Sequence, residues 1–336
     1  MGDVNRQWRL ARRPRGEAAK DDFEFVEAAV PRTLRPGEIL IRNRYLSLDP
    51  YMRWRMDDAK SYAPPVAIDD PMVGSTIAEV VRSDDSAFRP GQMVLAQGGW
   101  QDYAVASSSS LRIVDEAVEP TAFLNVLGSP GFTAYAGLMK IGMPKQGQTV
   151  VVGAATGPVG SMVGQLAKRA GCRAVAIAGG PEKCRLAVDH FGFDAAVDHR
   201  GGDLAGDLAK ACPDGVDVYF ENIGGRVLDA VLPLLNDFAR IPVCGVVSQY
   251  DGDESDGTRL ASVMRDTLVK RLSWRGFIVT DFAAHRGEFL EMITPLVKTG
   301  AIVSLEDVVD GLEHAPEAFI GLLKGRNRGK LVIHIA

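Results

Sequence analysis

The stretch VVVGAATGPVGSMVGQLAKRAG, residues 150–171, is typical of a β-branched strand, a glycine-containing turn and an amphipathic helix. Pro158 stands where the first turn of a helix tolerates proline, and apolar residues then recur at helical spacing. Gly157 would let the backbone approach a pyrophosphate, and Gly160 would let the helix lie close to the strand. Because the N–H groups at a helix N-terminus are unpaired and positively polarised, the pattern predicts a dinucleotide-binding turn. A tight turn without a ligand is the alternative.

Two different patterns surround this stretch. Residues 37–114 contain short alternating runs separated by Pro-Gly and Ser/Asp turns, which indicates β-strands. The tripeptide Arg-Pro-Gly precedes two of these runs, at 35–37 and 89–91, and indicates a turn in both places. Further along the chain, apolar strands alternate with amphipathic helices, which predicts a doubly wound α/β domain with a parallel sheet.

The last part of the chain returns to a strand, helix, strand pattern. We expect this tail, residues 300–336, to cross back and complete the first domain, residues 1–125. The dinucleotide-binding domain, residues 126–299, would then be an insertion within the first domain.

Composition excludes several classes of protein. The chain has 336 residues, 46% of them hydrophobic, and a net charge of −5, which argues against a nucleic-acid surface. No apolar run is long enough for a membrane helix, and the early basic residues are followed at once by acidic ones, unlike a targeting peptide. We therefore expect a cytoplasmic protein whose four widely spaced cysteines are free thiols.

The end of the strand that follows the glycine turn indicates which cofactor is bound. A fold that prefers NAD usually carries a carboxylate there, but this chain has Gly179 and Gly180, so nothing repels a 2′-phosphate. Lys183 would lie in the first turn of the next helix, where its ammonium could meet that phosphate. The sequence favours NADPH over NADH, and a solvated lysine is the alternative interpretation.

Several segments, taken in order, point to a known family. They are NRQWRLARRP, RYLSLDPYMRWRM, AATGPVGSMVGQLAKRAGCRAVAIAGGPEKCR, FDAAVDHR, YFENIGG, PVCGVVSQY, RGFIV and GRNRGKLV. Together they resemble the zinc-free branch of the medium-chain dehydrogenase/reductase superfamily. The resemblance is to its subgroup of prostaglandin reductases, leukotriene B4 12-hydroxydehydrogenases, alkenal double-bond reductases and curcumin reductases, and it covers nearly the whole chain.

This resemblance implies a GroES-like first domain, an inserted Rossmann domain that binds NADP(H), a cleft between them and a homodimer. It implies that the glycine turn, residues 157–160, faces the pyrophosphate and that Gly179 and Lys183 lie by the 2′-phosphate. His199 stands where relatives commonly carry tyrosine, so a phosphate contact and a surface position are both open for it. The remaining cofactor contacts implied are Gly157, Pro158, Val159, Gly160, Asn222, Cys244, Gly245, Ser248, Tyr250, Phe277, Ile278, Val279 and Asn327.

The chemistry predicted is reduction of a C=C bond without a metal. All cysteines and histidines follow residue 171, without the spacing of a zinc site, so alcohol oxidation assisted by a Lewis acid is hard to support. Hydride addition to the C=C bond of an α,β-unsaturated aldehyde or ketone needs only hydrogen-bond donors for the enolate, since the conjugated carbonyl accepts the charge.

Two tyrosines are the candidate catalytic residues. Tyr250 is expected to contact the enolate and the ribose, and either Tyr250 or water would protonate the α-carbon. The resemblance assigns Tyr51 to the substrate side, and the alternative is a half-buried tyrosine whose hydroxyl binds a backbone group.

Other interpretations stay open at this stage. Met52, Trp54 and Met56 could line an apolar pocket or pack in the core, Arg53 and Arg55 could meet an acidic substrate or be solvated, and the acidic loop after Tyr250 could act as a lid. An NADPH quinone reductase and a non-catalytic NADPH-binding protein are the alternative functions.

Overall fold

The computed structural model describes residues 4–250 and 260–336 of the chain. It divides into two compact units, one formed by Met1–Leu124 with Leu305–Ala336 and the other by Asn125–Ser304. Among the described residues no helix is both long enough and apolar enough to cross a membrane.

The strands are β1 (Val4–Leu10), β2 (Phe23–Ala29), β3 (Glu38–Ser47), β4 (Thr76–Ser83), β5 (Met93–Ala96), β6 (Tyr103–Ser107), β7 (Arg112–Ile113), β8 (Thr149–Gly153), β9 (Arg173–Ala178), β10 (Ala195–Asp198), β11 (Val216–Phe220), β12 (Leu235–Val243), β13 (Ser273–Gly276), β14 (Glu306–Asp310) and β15 (Lys330–His334). The helices are α1 (Met52–Arg55), α2 (Ser129–Tyr135), α3 (Pro158–Arg169), α4 (Pro181–Asp189), α5 (Leu204–Ala211), α6 (Gly225–Val231), α7 (Leu260–Val269), α8 (Arg286–Lys298) and α9 (Ala315–Leu323). A π-helical segment, Ala136–Gly142, continues α2.

The unit 125–304 contains a parallel sheet in the order β10-β9-β8-β11-β12-β13. The strand order reverses between β8 and β11, and ligands of such sheets bind at the carboxyl ends of the strands at this point. The middle strands are apolar on both faces; every residue of β8 is buried. Since a parallel sheet covered on both faces needs such strands, the predicted doubly wound fold is confirmed.

The other unit is built on a mostly antiparallel sheet in the order β14-β15-β3-β4-β5-β7, with β6 also paired to β3. The strand β15, from the C-terminal tail, pairs antiparallel with β3 at Val332↔Ser47. Beside this sheet the core contains Trp8, Trp100 and Phe319, whose rings contact one another or neighbouring aromatic rings. The β-rich architecture predicted for this part of the chain is confirmed.

The two Arg-Pro-Gly tripeptides form the same turn. Glu38 N–H donates to Arg35 O at 3.0 Å and Gln92 N–H donates to Arg89 O at 3.1 Å. Gly37 and Gly91 have φ of 77° and 83°. These values suit the third position of a type II turn, in which proline commonly occupies the second position. The turns predicted from the repeated tripeptide are therefore present.

Two strands lie outside the region where alternation predicted them. β1 and β2 pair with each other over Val4↔Ala29 to Leu10↔Phe23, although their charged residues hide the alternation. Arg6 is neutralised by Asp102 at 2.8 Å, while Leu10 is fully buried. In the tail, the first strand of the expected strand, helix, strand pattern is Glu306–Asp310.

The helix that follows the glycine turn is predicted to depend on Gly164. A Cβ built there would lie 2.1 Å from the Phe193 ring, so Gly164→Ala forces the ring or the helix to move. We expect it to lower the free energy of unfolding by about 1 to 3 kcal/mol. The measurement is chemical or thermal unfolding of each variant. Gly287→Ala in α8 is the control, because a Cβ there meets nothing within 4 Å; an equal loss in both variants would contradict the prediction.

Candidate active site

The glycine turn connects β8 to α3. Ala154 has a φ of 51°, and Gly157 N–H donates to Ala154 O at 2.9 Å. Pro158 is the first residue of α3, and the first N–H to bond within the helix is that of Ser161, to Gly157 O at 2.9 Å. The N–H groups of Val159 and Gly160 therefore lack an intrahelical acceptor and are available to an anion.

Gly160 is required for the close approach of this helix to the turn. A Cβ at Gly160 would lie 2.4 Å from Ala154 O and 2.8 Å from Ala155 Cα, both of them backbone atoms. A Cβ at Gly157 would lie 3.2 Å from the same oxygen. Any side chain at Gly160 would push the helix N-terminus away from the strand, so the geometry gives a physical reason for glycine at this position.

The end of β9 lies against the end of β10. A Cβ at Gly179 would lie 2.9 Å from His199 Nε2 and 3.1 Å from Arg200 Nε, so His199 lies directly beside Gly179. Gly180 N–H and Arg200 N–H both donate to Asp198 Oδ1, at 2.7 Å and 2.9 Å. Burial would raise the pKa of the Asp198 carboxyl, but these hydrogen bonds and neighbouring positive charges together lower it. The sequence pattern did not single out Asp198, but its carboxylate holds the ends of β9 and β10 together.

Positive charges collect around His199. Its imidazole pKa is lowered by burial and then by the charges of Arg200, Arg226 and Lys183, with Asp198 opposing. Arg226, at the start of α6, donates to the backbone carbonyl of His199. Lys183 is half-buried in the first turn of α4, as expected. Sequence reasoning missed Arg226, because only the fold brings the start of α6 to the end of β10.

The carboxyl end of β11 is at the reversal point of the sheet. Asn222 Nδ2 donates to Gly153 O at 3.1 Å, which links the end of β11 to the end of β8. Glu221 is buried, and its Oε1 accepts hydrogen bonds from Tyr219 Oη at 3.0 Å and from Ile223 and Gly224 N–H at 2.6 and 2.9 Å. Burial raises the pKa of the Glu221 carboxyl, although these hydrogen bonds oppose the change.

The loop after β12 is held to the same point. Cys244 N–H and Gly245 N–H both donate to Glu221 O, at 2.9 and 3.1 Å, and Ser248 Oγ donates to Ile223 O at 2.6 Å. Burial raises the pKa of the Cys244 thiol to about 12, so the thiol stays protonated and is unsuited to nucleophilic attack.

Tyr250 follows the short helical segment Val247–Gln249. A Cβ at Gly245 would lie 3.1 Å from the Tyr250 hydroxyl oxygen, so the phenol folds back over Gly245. The side chain is half-buried. The lid predicted for the acidic loop after Tyr250 falls on residues 251–259, which lie outside the described residues.

Phe277, Ile278 and Val279 follow β13 and are half-buried. The Phe277 ring meets the Phe220 ring edge-on, with centroids 6.3 Å apart, and a Cβ at Gly137 would lie 2.7 Å from Phe277 Cζ. The ring therefore packs inside the unit. The cofactor candidates from Gly157 to Val279 all belong to the unit 125–304.

The remaining two candidates belong to the other unit. Asn327 lies between α9 and β15, and its Nδ2 donates to Gly329 O at 2.7 Å. Tyr51 immediately precedes α1 and is half-buried. Burial, followed by the nearby charge of Asp49, raises the pKa of its phenol, so Tyr51 stays protonated. Within residues 4–250 and 260–336 no group hydrogen-bonds to this hydroxyl, so the backbone partner of the alternative interpretation is not found there.

The neighbours of Tyr51 have structural contacts. Met52 and Met56 are fully buried in the core, which favours the packing interpretation. Arg53 donates to Asp57 Oδ1 and Gly16 O, both at 2.7 Å, and Arg55 donates to Pro64 O at 2.6 Å. Both arginines are therefore engaged with their own chain.

In the part of the chain that the structure describes, no cluster of three or more His, Cys, Asp or Glu side chains could hold a metal ion. The same part contains four free cysteines, at 172, 184, 212 and 244. The absence of a catalytic metal stays a prediction.

Comparison with known proteins identifies relatives over the full length. Residues 6–114 match a family model described as the N-terminal domain of oxidoreductase, and residues 158–298 match one described as zinc-binding dehydrogenase. The chain is 51% identical to the NADPH-dependent curcumin reductase of Escherichia coli over 99% of this chain and 97% of the relative. It is 39% identical to the NADP(+)-dependent 2-alkenal reductase of Nicotiana tabacum, over 99% and 98%.

A solved structure is similar throughout. CurA from Vibrio vulnificus, in complex with NADPH, matches with a TM-score of 0.94 and 49% identity, covering 98% of this chain and 99% of that one. The resemblance predicted from the sequence motifs is confirmed by these matches. The chain belongs to the zinc-independent branch of the medium-chain dehydrogenase/reductase superfamily, in the subgroup with the curcumin, alkenal and prostaglandin reductases.

Proposed function

We propose that the protein reduces the C=C bond of α,β-unsaturated aldehydes or ketones, with Tyr250 and Tyr51 as hydrogen-bond donors and no metal. It is an NADP(H)-dependent oxidoreductase, as predicted. The observation that carries the proposal is the position of the Tyr250 phenol, folded over Gly245 at the carboxyl ends of β11 and β12. The relatives named for enal and curcumin reduction support this substrate class.

The described residues fit the cofactor. The free N–H groups of Val159 and Gly160 and the N-terminus of α3 suit a pyrophosphate, and Gly179 leaves open the space beside His199 that a side chain would fill. Bound NADPH would supply the hydride. Asn222, the loop from Cys244 to Ser248, Phe277 to Val279 and Asn327 stay predicted contacts for the rest of the molecule.

The cluster of positive charges suits the 2′-phosphate. Lys183, Arg200 and Arg226 place positive charge near His199, and the Asp198 carboxylate that opposes them accepts hydrogen bonds from two backbone N–H groups. A phosphate dianion placed here would raise the His199 pKa and favour the protonated ring, which donates from both nitrogens. The four side chains together would therefore select NADPH over NADH.

Tyrosines replace a Lewis acid in this scheme. The substrate's conjugated carbonyl takes up the negative charge as an enolate, and a protonated phenol can donate a hydrogen bond to its oxygen. The raised pKa of Tyr51 keeps its proton in place. We assign the main enolate contact to Tyr250, with Tyr51 on the substrate side, and the α-carbon proton comes either from Tyr250 or from water. The homodimer and the cytoplasmic location stay predictions.

Turnover assays test this function. NADPH oxidation is followed by nicotinamide absorbance with hydroxynonenal, then with menadione, and the product is identified by mass spectrometry as the saturated aldehyde. Reduction of menadione alone would favour a quinone reductase, and no oxidation with either compound would favour a cofactor-binding protein. Stoichiometric zinc in the active enzyme by elemental analysis would contradict the metal-free scheme.

Cofactor discrimination is expected to depend on Lys183. Lys183→Ala should weaken NADPH binding by about 10- to 150-fold, because one charge-assisted contact is lost, and leave NADH binding nearly unchanged. Titration of nicotinamide fluorescence measures both affinities. Arg185→Ala removes an exposed positive charge from the same helix and should change neither affinity more than weakly. Equal losses for both cofactors in Lys183→Ala would refute the assignment.

Catalysis is expected to depend on the Tyr250 hydroxyl. Tyr250→Phe should lower kcat by about 100-fold, the usual loss for one enolate donor, with little change in NADPH affinity. Steady-state kinetics with hydroxynonenal and the fluorescence titration provide the two readouts. Full turnover in this variant would move the principal donor to another residue.

A further inference from the structure

One fully buried cation lies outside the chemistry described so far. Lys330, the first residue of β15, has 1% of its surface exposed. Its ammonium donates to Leu48 O at 2.7 Å and to Asp49 Oδ1 at 2.8 Å. Burying an ion costs several kcal/mol after relaxation, and an apolar side chain of similar volume would often serve stability as well or better. A lysine at this position therefore calls for a reason beyond packing.

The two hydrogen bonds of the Lys330 ammonium, to Leu48 and Asp49, form a clamp that ties the chain just before Tyr51 to β15. The backbone of the same strand reinforces it, since Leu48 N–H donates to Leu331 O at 3.2 Å. Asp49 also accepts the hydroxyl of Ser47 on its other carboxylate oxygen, and Met52 N–H donates to Asp49 O at 3.1 Å. Both the backbone and the side chain at the start of this turn are therefore fixed from β15.

Tyr51 is carried on the turn that this clamp fixes. Its hydroxyl accepts or donates no hydrogen bond within residues 4–250 and 260–336, so only the backbone of the turn and the surrounding packing orient the ring. The Asp49 carboxylate acts on the phenol electrostatically and makes its ionisation harder. An uncompensated negative charge at Asp49 would also oppose an enolate forming beside Tyr51.

We propose that Lys330 is a positioning residue for Tyr51, holding the Leu48–Asp49 turn and offsetting the Asp49 charge so that the phenol can donate to the substrate oxygen. This inference rests on the proposed function, because it takes Tyr51 as the substrate-side donor. The Lys330 ammonium is buried and hydrogen-bonded to Leu48 O and Asp49 Oδ1, so it acts through the turn that carries the tyrosine.

A double-mutant cycle tests the proposal in the full-length protein. Lys330→Met removes the ammonium but keeps most of the side-chain volume, and it should lower kcat with hydroxynonenal by about 10- to 100-fold, as expected when a reacting group is slightly misplaced. In a Tyr51→Phe background the same change should lower kcat by less than about twofold, because the residue through which it acts is gone. NADPH affinity by fluorescence should stay within about twofold in each variant.

A matched control removes a different lysine. Lys168→Met breaks the 2.6 Å ion pair with Asp194 in the other unit and should leave kcat unchanged in both backgrounds. If Lys330→Met does not fold, Lys330→Gln takes its place in the cycle: its amide can still donate a hydrogen bond to the turn, it removes the positive charge that offsets Asp49, and it is expected to lower kcat only when the Tyr51 hydroxyl is present.

The outcomes separate this inference from the function on which it rests. An equal kcat loss with and without the Tyr51 hydroxyl, or no loss at all in Lys330→Met, overturns the positioning role while enal reduction by the parent protein still stands. If Tyr51→Phe alone keeps full turnover, the assignment of Tyr51 as the substrate-side donor is wrong, and the positioning role of Lys330 is overturned with it.

Discussion

The close contact between the N-terminus of α3 and the turn after β8 is the constraint on which the site depends. Gly160 brings the helix so near that a Cβ would lie 2.4 Å from Ala154 O. This distance aims the unpaired N–H groups and the positive end of the helix dipole at one position beyond the strand. A larger residue at Gly160 would tilt the helix away from the strand. The N–H groups at its N-terminus would then no longer point at one position, even if the sheet were unchanged.

The parallel sheet extends this local geometry to residues far apart in sequence. Because β8 and β11 are neighbours at the reversal of strand order, Asn222 can donate a hydrogen bond to Gly153 O. The side chain of the buried Glu221 accepts from the N–H of Ile223, just before α6. The backbone carbonyl of Glu221 accepts from the N–H groups of the loop after β12. One hydrogen-bonded network thus joins the end of β8, where the glycine turn begins, to the segment that carries Tyr250. The orientation of that tyrosine is a consequence of the strand order as much as of its own loop.

The limits of sequence inference follow from the range of each interaction. The glycine turn and the Arg-Pro-Gly turns were predictable because their causes lie within a few adjacent residues. Arg226 contacts a carbonyl 27 positions away, and Lys330 contacts one 282 positions away, so no local pattern marks either of them. The strands β1 and β2 were missed for a related reason: their charged residues hide the alternation, and the partner of Arg6 in β1 is the distant Asp102. Family resemblance supplied the tyrosines, which spacing alone would not have singled out.

Cations are arranged in two different ways in this protein. Around His199, the charges of Arg200, Arg226 and Lys183 lower the imidazole pKa, and the opposing Asp198 carboxylate accepts hydrogen bonds from two backbone N–H groups, so this edge of the sheet suits an anionic ligand. At Lys330 the cation already has its carboxylate, and the pair is complete without a ligand. The first arrangement leaves positive charge at the protein surface, while the second offsets the desolvation cost of a buried ammonium with an ion pair. In a chain of net negative charge, cations thus gather at the predicted cofactor-binding edge of the sheet, while a buried ion pair fixes the turn before Tyr51.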